Sequence, residues 1–70
     1  MSYEAMKEYL SKRPFDPFEI RLSNGERYQV RHPENALLLK SRIIIGDPEA
    51  DRTTTCGLIH VNSVEILQPN

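Results

Sequence analysis

A chain of 70 residues with nine Lys and Arg against ten Asp and Glu has room for one domain, and it lacks the basic excess of most nucleic-acid-binding domains. A domain this small buries only about 60% of the surface it exposes when unfolded, so its core has little margin. The lone cysteine, Cys56, excludes an intrachain disulfide, and no Cys/His group has the spacing of a zinc site.

The first predicted element is a helix over residues 2–12. Met6, Tyr9 and Leu10 fall at i, i+3 and i+4 among Glu4, Lys7, Glu8 and Lys12, which makes one apolar stripe. Ser2 is the expected N-cap, and Glu4 suits the positive end of the macrodipole. The helix must stop by Arg13, because a residue before proline avoids the α conformation. About ten residues cannot hold a helix in water alone, so the stripe has to dock. Residues 13–17 form a stiff connector around Pro14 and Pro17, with Phe15 and Phe18 expected to pin it to the core.

Residues 18–67 read as antiparallel sheet. Phe18, Ile20 and Leu22 alternate with Glu19 and Arg21, Ser23-Asn24-Gly25 follows, and then Tyr28 and Val30 alternate with Arg27, Gln29 and Arg31. Asn-Gly between alternating runs predicts a hairpin closed by a type I′ turn. Phe18, Ile20, Leu22, Tyr28 and Val30 then face the core. Glu19, Arg21, Arg27, Gln29 and Arg31 face water. His32-Pro33-Glu34-Asn35 breaks or bends the second strand, since Pro33 has no N–H for a ladder. The runs Ala36–Leu39 and Ile43–Ile45, separated by a tight turn at Lys40-Ser41-Arg42, predict strands covered on both faces, by the helix or by another chain. Residues 46–56 read as a polar hairpin loop, with Thr53-Thr54-Thr55 either extending a strand or mobile. The last two strands are expected around a very short Asn62-Ser63 turn, with Ile59, Val61, Val64 and Ile66 inward and Pro69 ending the sheet.

Helix, strand, Asn-Gly turn, bent strand, strand, polar loop, strand, short turn, strand: this order resembles the Sm-like small barrel. The resemblance implies a mainly β fold with one N-terminal helix, and a five-stranded curved antiparallel sheet or small barrel. The polar residues with which Sm proteins read a base have no counterpart here. A second resemblance is carried by Arg13 to Glu34, "RPFDPFEIRLSNGERYQVRHPE". It is similar to the signature R-P-F-x-P-F-x-I-x-L-x-x-G-x-x-Y-x-V-x-H-P-E of a family of short uncharacterised bacterial proteins. That implies family membership and carries no activity over to this chain.

The chemistry-bearing residues are sparse. His32 and His60 are the only side chains whose ordinary titration lies near neutral pH. Cys56 is the sole thiol, and on a continuous strand it would stand about 13 Å from His60, too far for an ion pair. No catalytic, metal-binding or cofactor-binding set is expected. Arg21, Arg27, Arg31, His32, Arg42 and His60 make up a candidate binding surface on the wet face. RNA would have to bind it without a stacking aromatic, because parity turns Tyr28 inward. The more strongly supported partner is protein: the apolar runs and free strand edges favour self-association into a homo-oligomer. The apolar runs are too short to span a membrane, the Met-Ser-Tyr-Glu-Ala start lacks the pattern of a secretory leader, and a free thiol suits the cytoplasm.

Overall fold

The computed structural model describes residues 1–67. Helix α1 spans Tyr3–Ser11. The Ser2 hydroxyl accepts from the Ala5 N–H at 3.1 Å, as an N-cap should. At the other end the Arg13 guanidinium donates to the Leu10 and Lys12 carbonyls, at 2.9 and 2.8 Å, which satisfies acceptors that the helix leaves open. Met6 is fully buried, and Tyr3, Tyr9 and Leu10 pack against the core, so the stripe docks as its spacing requires.

The connector is tied down by aromatic rings and by a charge. The Phe18 ring lies 5.4 Å from that of Tyr9 and 5.8 Å from that of Phe15, centroid to centroid, both tilted. Such pairs contribute about 0.5–1.5 kcal/mol each beyond the area they bury. Asp16 is the one buried charged side chain among the described residues, and its carboxylate accepts from the Lys12 ammonium. Periodicity gave no hint of this pairing, because Asp16 belongs to no repeating pattern.

Six strands follow among the described residues: β1 Phe18–Leu22, β2 Arg27–Val30, β3 Ala36–Leu38, β4 Arg42–Asp47, β5 Arg52–Gly57 and β6 Val61–Ile66. They form two three-stranded antiparallel sheets, ordered β2-β1-β6 and β3-β4-β5. The class is as expected, mainly β with one helix. The single five-stranded sheet or closed barrel is not. The chain passes between sheets through two single 3-10 turns, Pro33–Asn35 and Leu58–His60. Each turn closes on itself, Ala36 N–H to the Pro33 carbonyl and Val61 N–H to the Leu58 carbonyl. At the second corner the turn also keeps one bond to each sheet, Leu58 N–H to the Ser41 carbonyl at 2.9 Å and Ser23 N–H to the His60 carbonyl at 2.8 Å. The bent second strand is accordingly divided into β2 and β3.

Three further expectations are corrected. The polar loop at 46–56 is mostly strand: β4 runs to Asp47, β5 begins at Arg52, and the two pair in continuous register from Arg42↔Gly57 to Asp47↔Arg52. Threonine is a good strand former where one face stays wet, and the turn shrinks to residues 48–51, with Asp51 at φ 55°. Asn62-Ser63 is no turn but the middle of β6, which pairs with β1 through a bulge at Arg21/Leu22. The corner falls at Leu58–His60 instead, so Leu58 is buried while Ile59 is 84% exposed rather than inward.

The hairpin turn also differs in type. The Gly25 N–H donates to the Leu22 carbonyl, and the Leu22 N–H donates to the Glu26 carbonyl, both at 2.9 Å. Among the described non-glycine residues only Asp51 has positive φ, so Asn24 does not, as a type I′ turn would require. The connection is a three-residue loop with Gly25 as a left-handed bulge at φ 91°. Asn24 stabilises it from outside, accepting from the Glu26 N–H at 2.9 Å. A Cβ on Gly25 would meet no atom within 4 Å, so any penalty there is conformational rather than steric crowding by neighbours. Gly25→Val is expected to destabilise by about 1–2 kcal/mol, read as a shift in urea midpoint without change in slope.

One core lies between the sheets and under the helix. Phe18, Ile20 and Val30 come from the first sheet, Ile43, Ile45 and Cys56 from the second, Val61 from β6, Leu58 from the corner and Met6 from α1. Ala36 and Leu38 pack against this cluster from β3.

Candidate functional site

Two surfaces stand out, one polar and one apolar. The polar one is a groove of about 750 Å³ between β2 and the β4–β5 hairpin. Arg27, Tyr28, Gln29, Arg31 and His32 line one side, and Asp47, Glu49, Arg52 and Thr54 the other. The groove exists because β2 pairs only with β1 and β5 only with β4, so the two sheets part on this side.

The hairpin's register determines what β2 offers the groove. Hydrogen-bonded and non-bonded pairs alternate along an antiparallel ladder. The Leu22–Glu26 bond makes Ile20↔Tyr28 and Phe18↔Val30 the bonded pairs. The backbone N–H and C=O of Arg27 and Gln29 therefore point away from β1, where no strand receives them.

Of the residues singled out from sequence, the groove gathers Arg27, Arg31 and His32. Arg21 lies on β1 between two carboxylates, 3.4 Å from Glu19 and 3.3 Å from Glu65. Arg42 is exposed at the start of β4, opposite Gly57. His60 is exposed in the second 3-10 turn, where its carbonyl accepts from the Ser23 N–H at 2.8 Å and the Ser23 hydroxyl at 3.1 Å. Neither Arg42 nor His60 lines the groove. Arg52 also lines the groove, although its place within the segment expected to be loop gives it no strand parity. Its signal was its place after an acidic turn, which pairs it with Asp47 across the hairpin. Strand parity alone places Tyr28 in the core. It is half-buried, and its hydroxyl reaches the Glu26 carboxylate at 3.0 Å. That hydrogen bond to a charged acceptor raises the phenol's pKa, with desolvation adding to it.

Cys56 is buried between the sheets, and burial, followed by the Glu26 charge, pushes its thiol up from the ordinary range. A raised thiol holds less thiolate at neutral pH, so it is a poor nucleophile. No group of three or more His, Cys, Asp or Glu side chains able to hold a metal ion occurs among the described residues.

The apolar surface is the outer face of the second sheet. Inward and outward residues alternate along β3 and β4, so while Ile43, Ile45, Ala36 and Leu38 serve the core, Leu37 and Ile44 face the other way. Leu37 is directly paired with Ile44, and is 58% exposed. Leu39, two residues on, is 41% exposed. Helix α1 packs near β3 yet leaves both leucines in water. Of the two covers that the apolar runs called for, the helix is not the one on this face.

No helix among the described residues is long and apolar enough to cross a membrane. No protein-family model, curated protein or solved structure matches the chain.

Proposed function

We propose that this chain is a small non-enzymatic binding and assembly module that associates with copies of itself through the outer face and free edge of the β3-β4-β5 sheet. The observation that carries this reading is the exposure of Leu37 and Leu39 beside Ile44, Leu37 on a terminal strand with an unpaired side and Leu39 just past its end. Single exposed leucines are ordinary, but neighbouring ones on one sheet face favour burial against a second surface. A two-fold contact would place the same patch on both copies, which is the commonest way a small soluble chain forms an oligomer. The buried, unpaired thiol of Cys56 suits a cytoplasmic protein.

Sedimentation velocity tests the reading. The wild-type chain is expected to shift from monomer to a larger species between about 10 and 100 μM. Leu37→Asp is expected to remain monomeric, with stability changed by less than about 0.5 kcal/mol, because the side chain contributes little to the core. A wild-type chain that stays monomeric throughout this range overturns the proposal.

A further inference from the structure

The groove beside β2 has three properties that together specify a ligand. One wall is a strand edge whose Arg27 and Gln29 backbone groups have no partner strand. That wall and the opposite lip carry Arg27, Arg31 and Arg52, and no ion pair among the described residues engages any of them. Arg21, by contrast, is held by two carboxylates. Finally, the edge is guarded against its own kind. An antiparallel pairing of β2 with β2 of a second copy, centred on Gln29, would set Arg27 of one copy opposite Arg31 of the other. Like charges directly across a ladder are destabilising.

We propose that this groove binds an extended acidic peptide from another protein as an added strand on the free edge of β2. Main-chain hydrogen bonds to Arg27 and Gln29 would supply affinity, as in other strand-addition complexes, and side chains would supply the choice of sequence. Arg27 and Arg31 lie four residues apart and share a strand face, so carboxylates four residues apart on the peptide match them. Guanidinium groups are well suited to this, since they bind carboxylates in a two-pronged geometry. Asp47 and Glu49 sit on the far lip near the β4–β5 turn. They disfavour a polymer charged at every unit, such as RNA, while a peptide can place a neutral or basic residue there. The site is separate from the Leu37 surface, so it can bind whether or not the chain assembles.

The test uses the full chain and a labelled, end-capped heptapeptide of alternating Val and polar residues, with Glu at its second and sixth positions. Fluorescence anisotropy is expected to show saturable binding below about 1 mM, weakening as salt rises. Amide chemical shifts should move at Arg27, Gln29 and Arg31. Gln29→Pro deletes an outward N–H without touching the bonded pairs to β1, and should weaken binding at least about tenfold. Arg27→Glu with Arg31→Glu should abolish binding of the Glu peptide and create binding of its Lys counterpart. This charge reversal keeps the proposal testable should the proline variant fail to fold. The proposal is overturned by any of three results: no binding by about 1 mM, binding indifferent to the charge reversal, or a single-stranded RNA oligomer that binds more tightly and displaces the peptide.

Discussion

Truncating Phe18 to alanine is expected to remove about 3–5 kcal/mol of stability, the largest effect of any single truncation in this chain. Phe18 is fully buried at the point where three elements meet. Its backbone begins β1, pairing with Val30 on one side and Ile66 on the other. Its ring touches Tyr9 of the helix and Phe15 of the connector. Removing the ring leaves a cavity and takes from the helix its Tyr9 contact with the sheet in the same step. A domain of this size has roughly 5 kcal/mol of stability in all, so the variant should be largely unfolded or melt on the order of 15 °C lower. Thermal unfolding followed by circular dichroism measures it. A loss under about 1 kcal/mol would mean that the helix does not dock on this ring.

The second large effect is a contrast between neighbours. Ile43→Ala should destabilise by about 2–4 kcal/mol, whereas Ile44→Ala should cost less than about 1 kcal/mol. The two side chains are alike in chemistry and adjacent in β4, but Ile43 is fully buried against the core and Ile44 stands on the outer face beside Leu37. Urea unfolding of both variants at low concentration, below assembly, measures the difference. Equal losses would indicate that both faces of β4 are covered within one chain. At high concentration the order should narrow, because Ile44 belongs to the surface proposed to meet a second copy.

How far the fold could be read from sequence depended on whether a signal was local. The helix stripe, its Ser2 cap and the alternation around Asn24-Gly25 are local, and each appears in the structure where the spacing puts it. The corners were harder. Pro33 announces the first corner by its missing N–H, but nothing in Leu58-Ile59-His60 marks a 3-10 turn, and the same letters alternate well enough to pass for a strand. Placing the corner there shifts β5 back onto the threonines, which pair with β4 although they look like loop. The groove was half legible for the same reason: Arg27, Arg31 and His32 lie in a readable strand and bend, while Arg52 lay in the segment misread.

By itself the sequence determined that a mainly β fold with a docked N-terminal helix would form, because apolar periodicity and turn residues act over a few neighbours. Only the tertiary structure decided that the strands divide into two sheets, which face of the Leu37 and Ile44 strands meets water, and that three arginines line one groove beside the open edge of β2. Those outcomes depend on which strands pair across long stretches of chain. A backbone hydrogen bond between strands carries no residue identity, so that choice is made by the packing of the whole core.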